Sequence, residues 1–212
     1  MGPQLQRLAE SKLKCKISQA WGLTETTGAV TWLPWDREDT TGSTSQLLPN
    51  TRLKIVDGSE RPVQDGHSGE ILVRGPNVML GYWENKEVTA QAFTADGWFR
   101  TGDIGTRKDG KFYIVDRKKE LIKFKGLQVA PADIEAVLIE HDQILDAGVV
   151  GIPDPQLAGN EIPQAFNRPK TRKEFDKRRR RQKVYVIPRN LSGKILRRKL
   201  VQFEEHERPL KL

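Results

Sequence analysis

Residues 19 to 28 read QAWGLTETTG, so an aromatic ring at Trp21, a glycine at Gly22 and the pair Thr24 and Glu25 follow one another closely. After a strand, this run would set a flat face, a hydroxyl and a carboxylate at the strand's carboxyl edge, where α/β sheets bind ligands. Alone, it is equally a solvated Gly-Thr turn with a core tryptophan. Residues 97 to 105 read GWFRTGDIG and place Asp103 after a Thr-Gly turn. A carboxylate there suits both hydroxyls of a ribose, as acidic residues do in other nucleotide sites, although in isolation the motif is an ordinary hairpin. Arg117, two residues beyond an apparent strand Phe112 to Val115, could add a second ribose contact or be a surface charge. The Lys-rich run Lys118 to Gln128 contains Gly126, whose missing Cβ lets backbone approach a ligand closely. Its lysines also suit an edge strand guarded against aggregation. Lys194, in a Ser192, Gly193, Lys194 loop, precedes an apparent helix with Leu196, Leu200 and Phe203 at i, i+4 and i+7.

These groups need elements to carry them. Residues 1 to 30 read as a short helix with Leu5 and Leu8 on one side, then a strand near Lys16 to Gln19 and a Gly-rich turn: the tail of an α/β sheet. Short β-type runs at Arg52 to Val56, Glu70 to Val73 and Phe112 to Val115 predict a small β-barrel or sandwich layer. Asp116 to Lys119 is a charged join. Beyond it a strand (Leu121 to Phe124), a helix (Pro131 to His141, with Ile134, Val137 and Leu138 on one face) and a strand (Ala147 to Ile152) predict an α+β module.

Composition narrows the function classes. The 212 residues carry a net charge of +8, but ten Lys or Arg and two acidic residues fall between Arg168 and Lys183, leaving 26 basic and 26 acidic residues elsewhere. The basicity is local, with no global field for nucleic acid. No run approaches the roughly 20 apolar residues of a spanning helix, and no signal-peptide pattern opens the chain, so the expected compartment is the cytoplasm. The final Leu210, Lys211, Leu212 loosely resembles a peroxisomal address, except that its first position should be small. The single cysteine, Cys15, lies at the predicted strand's start and reads as a buried or half-buried structural thiol.

Four patterns in order, QAWGLTETTG, GWFRTGDIG, DRKKELIKFKGLQVAPADIE from Asp116 and PRNLSGKILRRKL from Pro188, resemble the later core motifs of the adenylate-forming (AMP-binding) enzymes. The third is similar to 4-coumarate:CoA ligases, luciferases and fungal acyl-CoA ligases. The resemblance implies ATP, Mg²⁺ and coenzyme A as cofactors or co-substrates, and a small aromatic or fatty carboxylic acid converted to acyl-AMP and then to acyl-CoA. It implies that Trp21 stacks on adenine, Thr24 bonds the α-phosphate, Glu25 holds Mg²⁺, and Asp103 and Arg117 hold the ribose. Lys119 becomes the hinge, Lys123, Gly126 and Gln128 serve the thioester step after a domain rotation, and Lys194 is the adenylation lysine. The implied fold is a remnant of the large domain over 1–115 (an α/β tail plus a small β-barrel layer), a hinge at 116–119, and a small α+β lid domain over 120–212.

Four departures stand against that pattern. The Ser/Thr/Gly-rich phosphate loop expected upstream of Gln19 is absent, so the chain reads as a C-terminal fragment, weakly active or inactive alone. Residues 167–186 replace an expected strand and helix with a flexible basic loop. Ser45 stands where a glycine is usual, and Trp21 where tyrosine is. The competing readings are a pseudoenzyme fragment, or a non-catalytic binding protein whose 168–183 loop meets an acidic partner or nucleic acid.

Overall fold

The computed structural model describes residues 2–170, 186–191 and 193–207; the predicted basic loop lies mostly outside these, as do Ser192 and the last five residues. The chain divides into two compact units, Met1–Lys119 and Glu120–Leu212.

In the first unit, helix α1 (Pro3–Leu13) starts with proline in its first turn and ends at a left-handed Lys14. Leu5 and Leu8, expected on one side of this helix, are 57% and 52% exposed, and Gln6 is the buried residue. Its amide explains this: it donates to the carbonyls of Ile17 and Asp39, and its oxygen accepts from Gln19. These bonds order residues 15–19 without a ladder, so the strand predicted at Lys16 to Gln19 does not form and Cys15 is exposed rather than buried. Strand β1 (Ala20–Leu23) instead pairs antiparallel with β2 (Gly28–Trp32), which pairs with the short β3 (Gln46–Leu47). Ser45, at φ 70°, occupies the left-handed region that favours the glycine expected there.

The β layer is a four-stranded antiparallel meander: β4 (Arg52–Val56), β5 (Ser68–Arg74), β6 (Phe99–Lys108) and β7 (Lys111–Arg117). Helix α2 (Lys86–Ala92) is capped by Asn85, whose side chain accepts from the Val88 amide. Trp21, Val30, Ile55, Ile71, Val73 and Phe112 form one core. Val30, Ile71 and Val73 are completely buried, each contributing about 1.5–3 kcal/mol by removal of apolar surface from water.

The second unit opens with a hairpin, β8 (Ile122–Phe124) and β9 (Leu127–Val129), followed by α3 (Pro131–Ile139). Long strands β10 (Ile144–Pro153) and β11 (Glu161–Pro169) pair antiparallel, and α4 (Arg197–Glu207) closes the unit. Val150, Ile152, Phe166, Ile187 and Leu200 form its core. The predicted apolar stripe of α3 is corrected: Val137 is 69% exposed, while Glu135 is buried. That carboxylate is compensated, accepting from the Val149 amide at 2.9 Å and from Arg197 at 3.0 Å.

Candidate functional site

Asp103 sits where β6 bulges. The β5–β6 register shifts between Glu70 and Leu72, and the β6–β7 register shifts between Ile104 and Gly105, one pair beyond Asp103–Arg117. The Thr101 hydroxyl ties the bulge down, donating to the Ile71 carbonyl at 2.7 Å and accepting from the Asp103 amide at 3.1 Å. Bulges of this kind re-aim a side chain beside a binding site. The predicted Thr-Gly turn is therefore a kink within a ten-residue strand, and Arg117 is the last residue of β7. Asp103 is 5% exposed. One carboxylate oxygen accepts from the Trp21 indole N–H at 2.8 Å and the other meets Arg117 Nε at 2.8 Å. The arrangement sets one hydrogen-bond donor on one carboxylate oxygen and a cation beside the other.

Trp21 is thus both a core residue, 8% exposed, and a donor to Asp103. Its indole supplies a polar contact of its own in place of the phenol usual at that position. Thr24 and Glu25 lie on a 3-10 turn, Thr24–Thr26, between β1 and β2. The turn is tight: a Cβ on Gly22 would stand 1.8 Å from the Gly28 carbonyl oxygen, so only glycine fits there. The buried Thr26 hydroxyl spans the turn, accepting from the Leu23 amide and lying 2.8 Å from the Gly28 carbonyl. Thr24 is exposed and Glu25 half-buried. Glu25 accepts at Oε1 from the Tyr82 hydroxyl at 2.9 Å. Burial pushes the Tyr82 phenol above its ordinary pKa, the Glu25 carboxylate pushes it the same way, and nearby Arg117 pulls it back. The charges around Glu25 and those around Asp103 therefore share one neighbourhood. Tyr82 escaped the sequence reading, because nothing local in its Gly81, Tyr82, Trp83 run points to a partner 57 residues away.

The remaining candidates lie in or next to the second unit. Lys123, Gly126 and Gln128 share the β8–β9 hairpin, where Lys123 stands opposite Gln128. The connecting Lys125 and Gly126 both have positive φ, 49° and 78°, the signature of a type I′ turn. A Cβ at Gly126 would meet nothing within 4 Å, so its backbone angle, not crowding, calls for glycine. Glu161 accepts from the Lys123 amide at 2.8 Å and Asn160 from the Lys125 amide at 2.6 Å, which holds the hairpin backbone while the Lys123 and Gln128 side chains stay exposed. Lys194 is also exposed, on a closed loop. Its backbone exchanges hydrogen bonds with Asn190, and Arg189 bridges the Gly193 carbonyl and Asp146 at 2.8 Å each. Lys119 is exposed and ends the first unit.

Among the described residues no three His, Cys, Asp or Glu side chains cluster to cage a metal. A lone carboxylate such as Glu25 fits magnesium, which is commonly held by one or two carboxylates together with substrate phosphates. No helix among the described residues is long and apolar enough to cross a membrane.

Comparison with known proteins identifies the class of fold. The AMP-binding enzyme profile matches residues 1–83. A protein of Emericella nidulans with a provisional acyl-coenzyme A synthetase name is 50% identical over 92% of this chain and 38% of its own length. A 4-coumarate–CoA ligase-like protein of Oryza sativa is 40% identical over 92% of this chain and 36% of its own. MatB of Rhodopseudomonas palustris, solved with ATP bound, superposes with a TM-score of 0.85 at 25% identity, over 96% of this chain and 44% of that one. The chain belongs to the AMP-binding, adenylate-forming enzyme family. It spans a little over a third of the length of the curated relatives it matches.

Proposed function

We propose that these 212 residues carry the ribose, metal and lysine-bearing parts of an ATP-dependent acyl-CoA ligase, which converts a small aromatic or fatty carboxylic acid to its acyl-adenylate and then to the coenzyme A thioester. The observation that carries the reading is the Trp21–Asp103–Arg117 arrangement, a buried carboxylate held by the Trp21 indole N–H on one oxygen and the Arg117 guanidinium beside the other. Asp103 binds the ribose, and Arg117 both orients Asp103 and reaches the same sugar. Trp21 packs at the adenine edge, Thr24 donates to the α-phosphate, and Glu25 ligates a magnesium whose charge, when bound, neutralises the phosphates. Lys194 stabilises charge on the acid and the α-phosphate as the carboxylate oxygen attacks phosphorus.

Thioester formation uses a second set of groups. Lys119 is the hinge, and Lys123, Gly126 and Gln128 line the approach of the thiol. Support comes from their shared hairpin and from the exposure of both side chains on a hydrogen-bonded backbone. The family membership of the chain supports the same division of labour.

The test is equilibrium binding of AMP to the chain by calorimetry, beside 2′,3′-dideoxy-AMP. AMP should bind more tightly, and Asp103→Asn should erase the preference. A preference that survives Asp103→Asn sinks the ribose assignment.

A further inference from the structure

We propose that Tyr82 is the positioning residue of the Glu25 carboxylate, its hydroxyl occupying Oε1 so that Oε2 is presented to a divalent cation carried on nucleotide phosphates. The proposal rests on the metal role given to Glu25 above. It begins from a convergence of four hydrogen bonds between residues 77–82 and the turn that bears Glu25. The Met79 amide donates to the Glu25 carbonyl at 2.7 Å, and the Asn77 amide group donates to the Thr26 carbonyl at 3.2 Å. The Thr27 hydroxyl donates to the Asn77 carbonyl at 2.9 Å, and the Tyr82 hydroxyl donates to Glu25 Oε1 at 2.9 Å.

Two of these bonds hold the backbone of the turn and a third anchors the Thr27 side chain beside it, and they would suffice if stapling were all that was needed. The fourth reaches the carboxylate itself. Among the described residues, the Tyr82 phenol is the one side-chain donor recorded to Glu25. A carboxylate on a turn can rotate about its side-chain bonds, and a single donor on one oxygen stops that rotation and leaves the other oxygen's lone pairs open. Outer partners of metal-bound carboxylates work in this way, and their loss typically weakens metal affinity about ten- to a hundredfold.

Tyr82 is itself held, as a positioning residue must be. Its amide donates to the Thr89 hydroxyl at 2.8 Å, that hydroxyl donates to the Asn85 carbonyl at 2.8 Å, and Asn85 caps α2. The phenol is therefore referred to a helix end. At 37% exposure the ring adds little to the core, so removing its hydroxyl should not unfold the unit.

The experiment titrates the 212-residue chain with Mn²⁺ in the presence of ATP, reading free Mn²⁺ by electron paramagnetic resonance, with metal-free ATP affinity measured in EDTA. Tyr82→Phe should weaken Mn²⁺–ATP binding about tenfold, with metal-free ATP affinity and thermal midpoint unchanged. Thr89→Val, which loosens the backbone of Tyr82 without touching the phenol, should give a smaller loss in the same direction. Glu25→Gln should lose more, and adding Tyr82→Phe to it should change nothing further, since no carboxylate remains to be oriented. Tyr82→Phe equal to the parent while Glu25→Gln loses metal dependence overturns the positioning role and leaves the Glu25 reading standing. Equal losses with and without metal in Tyr82→Phe overturn it too, as the mark of a structural role. Parent-like metal affinity in Glu25→Gln, or no Mn²⁺–ATP binding by the parent, overturns the Glu25 reading and this proposal together.

Discussion

The candidate groups of the first unit are bound to one another, whereas those of the second, among the described residues, are tied down through their backbones. Asp103, Trp21, Arg117, Glu25 and Tyr82 form hydrogen bonds and an ion pair among themselves, and Asp103 is almost fully buried. Lys123, Gln128 and Lys194 are exposed, on a hairpin and a loop tied down by Asn160, Glu161, Asn190 and Arg189. The first arrangement spends its polar groups on orienting a carboxylate before any ligand arrives. The second keeps its cations solvated, so their contribution arises only when an anionic ligand desolvates them. Substitutions in the two places should therefore separate stability from activity.

The largest effect tests the second unit. With this chain grafted onto the upstream part of an active relative, Lys194→Ala should lower acyl-adenylate formation about a hundred- to a thousandfold, the usual cost of losing one group aimed at transition-state charge. Thioester formation from supplied acyl-adenylate and the urea midpoint should stay at parent values. Equal loss in both half-reactions would break the contrast. In the first unit, Asp103→Ala strands the Trp21 N–H and the Arg117 guanidinium, and should cost about 2–4 kcal/mol of stability, read from urea unfolding.

A pH series sharpens the comparison further. Asp39 is buried beside Lys111 at 2.7 Å and accepts from Thr41 and Ser43. Burial alone would raise its pKa, but Lys111 and those donors outweigh it and hold the carboxyl well below the usual range. A folded-state pKa below the unfolded value stabilises above the ordinary aspartate value of about 3.9, and the contribution fades as pH falls toward the lowered one. The first unit should thus lose stability on acidification below about pH 4, and Asp39→Asn should flatten that limb while costing about 1.5–3 kcal/mol at neutral pH. Lys111, raised chiefly by its hydrogen bond to Asp39, acts with the opposite sign: its share persists below the ordinary lysine value and is lost as pH rises through the elevated one. The smallest effect belongs to Gly126→Ala, where a left-handed backbone costs an alanine about 1 kcal/mol. It should lower the melting point of the second unit slightly and leave AMP binding unchanged.

Elements with unbroken local patterns were legible. The β-type run Arg52 to Val56 gave β4 with its observed ends, and Pro131 marked the start of α3. Legibility failed where a distant partner overrode a local signal. The RTGD stretch has the composition of a turn, yet pairing with both β5 and β7 draws it into a bulged strand. Glu135, a carboxylate in the middle of α3, is buried because Arg197 and the Val149 amide compensate it, partners that lie far along the chain. In the candidate site the residue types were readable, but the Trp21–Asp103 bond joins positions 82 apart, and no spacing rule carries a contact of that reach.

The burial of Trp21 has an optical consequence. Of the five tryptophans, Trp35 and Trp83 are 88% and 90% exposed and Trp32 is 50% exposed, whereas Trp21 is 8% exposed with its indole nitrogen on a carboxylate. Native fluorescence is therefore a blend, in which a red, water-quenchable component masks a bluer one from the interior. Changing Trp32, Trp35, Trp83 and Trp98 to phenylalanine leaves a single chromophore seated against Asp103, and any change at that carboxylate becomes a change in colour.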